Sequence, residues 1–227
     1  MNTQQEHSLY ITALVHGLGA SGVAAARLLV AEGTRVTAVD AADNPGLREK
    51  AATLESLGVR VILGCKTPPD GMFQVCVLSP GIPADSQFVR NVEAKGIEVL
   101  SELEVGWSRS RCRTLAITGS NGKSTMAKLC RDTLVRAGCR AEVAGNYGTP
   151  VSAIALEQKK PDWLVLEVSS FQFERTIHFR PDVGVLLNVL PNHLDRHGNM
   201  ETYMGLKARM FSNMRAGDVG ILSLIHI

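Results

Sequence analysis

Aromatic residues are scarce, at 5% of 227 positions, which leaves few rings for a base-stacking platform. An excess of one charge is also missing. Twenty-four Lys and Arg face 22 Asp and Glu, for a net charge of +2. No electrostatic footprint for nucleic acid or a membrane surface follows, and neither is expected as a partner. The five cysteines, Cys65, Cys76, Cys112, Cys130 and Cys139, are odd in number, scattered and without a CxxC pair. That argues against a disulfide framework or a zinc site and fits a reduced, cytoplasmic protein. No apolar run approaches the roughly 20 residues that span a bilayer. The polar start, residues 1–7, has no basic flank ahead of an apolar stretch and does not read as a signal peptide. Repeats and low-complexity segments are absent. What is present is 45% apolar and 20% charged residues, the balance of a soluble globular chain. The length suits one large domain or two small ones with a real core.

Apolar runs alternate with helical patterns. Residues 11–15, 35–39, 59–63, 75–78 and 97–100 read as strands, with helices at 22–31, 47–57 and 88–95. A second series has strands at 114–118, 140–143, 163–168, 183–187 and from 219 onward. Its helices are at 124–137, closed by Gly138, and at 201–214. This alternation predicts an α/β protein with parallel sheets covered on both faces. The pattern turns polar and basic at 101–113, which puts an expected domain boundary there, between 1–100 and 101–227.

Two glycine loops stand out. Gly17-Leu18-Gly19-Ala20-Ser21-Gly22 follows a strand and opens a helix with GxGxxG spacing. Such glycines allow a tight turn and bring backbone N–H groups up to a diphosphate. Asp40 ends the next strand, where a ribose-binding acid would sit. Alone, these residues leave open a diphosphate nucleotide, NAD in particular, or a structural turn. The second loop is Gly119-Ser120-Asn121-Gly122-Lys123-Ser124-Thr125, again between strand and helix. Its N–H groups are expected to face phosphates, with Lys123 on the β and γ oxygens and the Ser124 hydroxyl on Mg²⁺. It is shorter than the usual P-loop, because Ile117 stands where the first glycine belongs. A dehydrogenase needs no Gly-Lys-Ser loop. An ATP-driven enzyme acting on a diphosphate-bearing substrate needs both loops.

Downstream, Glu167 ends a strand and precedes Ser169 and Gln172. It reads equally as an Mg²⁺ ligand or a solvated strand-end carboxylate. His193, in Asn192-His193-Leu194-Asp195-Arg196-His197, could be a metal ligand or a phosphate contact, whereas His197 reads as a capping or packing residue. Asn146 lies in another turn after a strand. Lys207, read locally, is an ordinary surface lysine on a helix.

Taken in order, four motifs resemble the Mur ligase family, and in particular its D-glutamate-adding branch. They are GSNGKST at 119–125, EVSSFQ at 167–172, NHLDRH at 192–197 and Tyr203-x-x-x-Lys207. Ser79-Pro80-Gly81-Ile82 and Ser101-Glu102-Leu103-Glu104 fit as well, and the resemblance runs from about residue 14 to about 221. It implies a Rossmann-like N-terminal domain for the UDP substrate, followed here by an incomplete P-loop-type ATPase α/β domain. It also implies joining of UDP-N-acetylmuramoyl-L-alanine to D-glutamate through an acyl phosphate, with ATP consumed, in cytoplasmic peptidoglycan precursor synthesis. By resemblance Gly17, Gly19, Ala20, Ser21, Asp40 and Ser79 serve the UDP end. Asn146, Ser169, Gln172 and His193 serve the muramoyl end, and Gly119 to Thr125 wrap ATP. Ser124 and Glu167 hold one Mg²⁺, and His193 and a carbamylated Lys207 hold a second. Lys123, His193 and Lys207 are then the catalytic residues, and the full-length enzyme is expected to be monomeric.

Departures are informative too. Asp40-Ala41-Ala42 stands where a family example has Asp-Thr-Arg, and Asn192 where some members have Asp. The resemblance also implies an amino-acid-binding domain beyond residue 227. Residues 222–227 do not fit the family and resemble a translated sequencing adapter. The chain as it stands is therefore expected not to ligate, leaving a non-catalytic nucleotide-binding fragment or a Mur ligase of other amino-acid specificity as alternatives. Strands 163–168 and 183–187 are expected to lack some of their partners and cover.

Overall fold

The computed structural model describes residues 10–157 and 160–223. The polar start and residues 224–227 of the expected foreign tail lie outside the described residues. Strands β1 (Thr12–His16), β2 (Arg35–Val39), β3 (Arg60–Ile62), β4 (Val75–Leu78) and β5 (Glu98–Ser101) form a parallel sheet in the order β3-β2-β1-β4-β5. Helices α1 (Ala20–Ala31), α2 (Pro45–Glu55) and α3 (Gln87–Ala94) make the crossovers. The central strands are buried almost end to end because helices cover both faces. On one side Ala13, Val15 and Val77 pack against Ala25, Leu28 and Leu29, and on the other Leu14, Val39 and Cys76 pack against Phe88, Val89 and Val92. The chain reverses direction across the sheet at β1. A crevice therefore opens at the carboxyl ends of β1 and β4, where such folds bind ligands.

The stretch in which the domain boundary is expected carries a helix, α4 (Glu102–Ser110), capped by the Ser101 hydroxyl, which accepts from Glu104 N. Two of its acids point inward. Glu102 is fully buried and accepts from Ser152 N at 2.7 Å. Glu104 accepts from Ile177 N, His178 N and Phe179 N, so one carboxylate satisfies three backbone donors of a loop.

The second sheet is parallel as well. Its strands are β6 (Arg113–Thr118), β7 (Ala141–Gly145), β8 (Trp163–Glu167), β9 (Val183–Leu186) and β10 (Val219–Leu222), in the order β10-β9-β6-β8-β7. Strands β8 and β9 each pair on both sides, so the expectation that they lack some of their partners does not hold. The edge strands are β7 and β10, and on β10 Val219, Ile221 and Leu222 are about half exposed. Helices α5 (Lys123–Arg136), α6 (Val151–Leu156), α7 (Ser170–Phe173), α8 (Leu194–His197) and α9 (Met200–Ala208) complete the unit. The helix expected at 201–214 stops at Ala208 and tightens into a 3₁₀ turn, Arg209–Phe211. Ala155 and Leu156 of α6 pack on the core of the first sheet, joining the two units. No helix among the described residues is long and apolar enough to cross a membrane.

Candidate active site

The first glycine loop is held from three sides. Gly17 N donates to Val39 O, the Ser79 hydroxyl donates to Gly17 O at 2.8 Å, and Leu18 N donates to Asp40 Oδ2 at 2.8 Å. Asp40 Oδ1 accepts from Ala42 N, so this acid braces the loop with both oxygens. A Cβ on Gly22 would sit 1.8 Å from Gly17 O, so the third glycine is required by packing. Gly19 and Ala20 are exposed and Ser21 is half-buried at the open end of α1, whose first-turn N–H groups have no partner within the helix.

The second loop is organised by a residue the sequence reading passed over. Asn188 Oδ1 accepts from Ser120 N and Asn121 N at 3.0 and 2.9 Å, and its Nδ2 donates to Asn121 O. Those two N–H groups, expected to face a phosphate, are engaged by the Asn188 side chain here. The donors left to do so are in the first turn of α5, from Lys123, with Ser124 and Thr125 exposed beside it. The Ser120 hydroxyl bonds Leu190 O and Tyr203 OH, tying the loop to α9. Lys123 Nζ folds back onto Gly119 O and Ser120 O, both at 3.0 Å. Burial lowers its pKa and the Glu167 carboxylate opposes that.

Glu167, at the end of β8, is 3% exposed. Its Oε1 accepts from Asn146 Nδ2 at 2.7 Å, while its Oε2 is buried with no partner. An orphaned carboxylate oxygen next to a phosphate loop fits a divalent cation. It favours the ligand reading over the solvated one. Among the described residues no three His, Cys, Asp or Glu side chains converge on one metal position. A Mg²⁺ site needs no such cluster, since one carboxylate can be completed by hydroxyl, water and phosphate oxygens.

Ser169 and Gln172 bond each other in a capping box at the start of α7, and Gln172 is 1% exposed. Their local role is to end β8 cleanly and present that turn. His193 is exposed, with a left-handed φ of 53°, a conformation that costs a non-glycine residue and collects at functional sites. Its ring lies 4.8 Å from that of Phe171. His197 packs, as expected, with its Nε2 2.9 Å from the Ser170 hydroxyl.

Lys207 overturns its local reading most sharply. It is 1% exposed, its Nζ donates to Gly119 O at 2.9 Å, and it lies 4.5 Å from the centre of the Tyr203 ring. Burial, reinforced by the nearby Lys123 charge, brings its pKa down to about 7. A helical lysine one turn past a tyrosine looks exposed in sequence. Only the approach of α9 to the Gly119 loop buries it.

The structure thus gathers Gly119, Lys123, Asn146, Glu167 and Lys207 at the carboxyl ends of β6, β7 and β8 and on α9. The Gly17 loop, Asp40 and Ser79 form a separate group at the end of the first sheet. Two family descriptions match these units: Mur ligase MurD-like, N-terminal domain, over residues 12–101, and Mur ligase middle domain, over 117–225. The UDP-N-acetylmuramoylalanine–D-glutamate ligase of Koribacter versatilis is 40% identical over 211 residues, covering 92% of this chain and 47% of that protein. The enzyme of the same name from Pelotomaculum thermopropionicum is 41% identical over 212 residues, covering 92% and 46%. The chain spans about half the length of the curated relatives it matches. Its fold is shared with UDP-N-acetylmuramate:L-alanyl-gamma-D-glutamyl-meso-diaminopimelate ligase from Neisseria meningitides. That match has a TM-score of 0.58 at 16% identity, covering 94% of this chain and 71% of that one. With a matching description on each sheet and these relatives along nearly its whole length, the chain belongs to the Mur ligase family.

Proposed function

We propose that the chain supplies the sugar-nucleotide and ATP sites of a ligase that joins UDP-N-acetylmuramoyl-L-alanine to D-glutamate in cytoplasmic peptidoglycan precursor synthesis. The observation that carries this reading is a phosphate loop on each sheet, the second backed by the buried amine of Lys207. The D-glutamate site is assigned to the part of the relatives' length that this chain does not span.

In the proposed reaction a carboxylate oxygen of the L-alanyl group attacks the γ-phosphorus of ATP. The new P–O bond forms as the bond to the β-phosphate oxygen breaks, and ADP leaves. The amine of D-glutamate then attacks the acyl carbon, phosphate departs, and the amine proton passes to solvent. Lys123 offsets charge on the transferred group, and the first-turn N–H groups of α5 cradle the phosphates. The Gly17 loop and Ser79 hold the UDP end, and Asn146, Ser169, Gln172 and His193 orient the muramoyl end. Ser124 and Glu167 would hold one Mg²⁺, and His193 with carbamylated Lys207 a second, whose charges would stabilise the phosphoryl oxygens. With its pKa near 7, Lys207 has a large neutral fraction at neutral pH. That amine can attack CO₂, form the N–C bond and lose a proton to give an anionic carbamate.

Thermal shift with three ligands in parallel tests the reading. UDP-N-acetylmuramoyl-L-alanine and ATP with Mg²⁺ should each raise the melting temperature, and NAD should not. Stabilisation by NAD alone would instead support a dehydrogenase site on the Gly17 loop.

A further inference from the structure

The proposed function requires one substrate to reach from the Gly17 loop to the turn around His193, across the junction of the two sheets. Two arginines of the second unit grip one short turn of the first. Arg196 Nη2 donates to Ile82 O at 3.0 Å, and Arg175 Nη2 donates to Ala84 O at 2.6 Å. Arg175 also pairs with Glu93 on α3, with its side chain 26% exposed.

Arg196 is the more tightly held. Its Nε and Nη2 fork onto the two oxygens of Glu174 at 3.1 and 2.7 Å, and its guanidinium lies 4.4 Å from the centre of the Phe171 ring. The two side chains are only 18% and 12% exposed. Each end of this contact continues into a candidate subsite. On one side Ile82 N donates to Ser79 O, and the Ser79 hydroxyl donates to Gly17 O. On the other side the Phe171 ring that carries the guanidinium also packs against the ring of His193.

We propose that Arg196 is a positioning residue that sets the distance between the sugar-nucleotide loop and the His193 turn, through its bridge from Glu174 and Phe171 to Ile82. This rests on the function proposed above. A fork on Glu174 alone would be a local ion pair. The additional bond to a backbone carbonyl of the other sheet is what makes it a spacer. The guanidinium is suited to the task because its donors are fixed in a plane, so it holds an acid and a carbonyl at set angles while stacking on a ring. A lysine ammonium is a point charge and does none of the three together. Arg196 is given no substrate contact in this proposal. Its effect is confined to ligands that engage both loops at once, for which the second contact is intramolecular and is lost when the spacing is wrong.

The test is calorimetric titration of the 227-residue chain with UDP, with ATP and Mg²⁺, and with UDP-N-acetylmuramoyl-L-alanine. In the wild type the muramoyl peptide should bind more tightly than UDP. In Arg196→Lys that preference should fall by about tenfold or more, while UDP and ATP each change by less than about twofold. Glu174→Gln, which keeps the bond to Ile82 but weakens the fork, should fall between the two, and it carries the test if Arg196→Lys does not fold. An unchanged preference in the variants overturns the proposal. So does a parallel loss for all three ligands with a lower melting temperature, which would make Arg196 a structural prop. A wild-type chain with no preference for the muramoyl peptide over UDP overturns the proposed function itself, and this inference falls with it.

Discussion

Lys207 Nζ lies 2.9 Å from the carbonyl oxygen of Gly119, 88 residues earlier in the chain. The amine is buried against a dipole and a ring, and a second cation, Lys123, is close enough to lower its pKa further. Its folded pKa of about 7 is below the ordinary 10.5. Below pH 7 both folded and unfolded states carry the proton, and the cost of the buried charge is fully present. Between about 7 and 10.5 the unfolded state binds more protons, so stability rises with pH. Lys207→Met should therefore raise stability by about 1–3 kcal/mol at pH 6, with the gain shrinking by pH 9. Urea unfolding in CO₂-free buffer measures both, and a less stable variant at pH 6 would contradict the burial argument.

Lys123→Ala should weaken ATP with Mg²⁺ by about 10–100-fold, the scale of one charge-assisted phosphate contact. UDP-N-acetylmuramoyl-L-alanine should stay within about twofold, because the residues proposed to hold it, the Gly17 loop and Ser79 at one end and Asn146, Ser169, Gln172 and His193 at the other, do not include Lys123. Equal weakening of both ligands by titration would show that the loops are not independent.

Gly19 and Gly22, three residues apart, make an internal contrast. Gly22→Ala puts a methyl 1.8 Å from Gly17 O and should cost about 2–3 kcal/mol, with loss of UDP binding. At Gly19 the backbone has a φ of −66° and nothing lies within 4 Å of an added Cβ. Gly19→Ala should cost less than about 0.5 kcal/mol yet still reduce UDP affinity, since the methyl enters the open side of the loop. Unfolding and titration on the two variants separate packing from ligand contact.

His16, at the end of β1, is 4% exposed and its ring stacks 3.8 Å from that of Phe88, with Nδ1 unpartnered. Burial lowers its pKa from 6.5 to about 4, against the pull of Asp40. The unfolded state binds more protons between about pH 4 and 6.5, so stability falls as pH drops through that window and the full cost is present below 4. His16→Leu should flatten this slope, gaining on the order of 1–2 kcal/mol relative to wild type between pH 7 and pH 5. Thermal melts across that range check it.

Periodicity carried most of the fold. The strands at 35–39 and 75–78 fall where the apolar runs put them, and both glycine loops sit between a strand and a helix as read. What sequence could not give was inwardness against polarity. Glu102, Glu104 and Lys207 are charged residues that local reading assigns to solvent, and all three are buried because partners 50–88 residues away meet them. Asn188 was passed over for the same reason: its hold on Ser120 and Asn121 spans about 68 positions and leaves no local pattern. The four-residue helices α7 and α8 are too short to show a period.

The strand order of the second sheet also sets an order of events in synthesis. Strand β6, which carries the Gly119 loop, lies between β8 and β9, and neither neighbour exists when it is made. In a nascent chain growing at roughly 5–20 residues per second, β6 waits several seconds for its first neighbour. By then the first sheet, whose five strands are complete at Ser101, has all it needs to close. The Gly119 loop is braced only once Asn188 arrives, and Lys207 comes later still. The nascent second unit thus offers an apolar, unpaired β6 to chaperones or to other chains during that interval, and slowing translation between residues 119 and 163 would lengthen it.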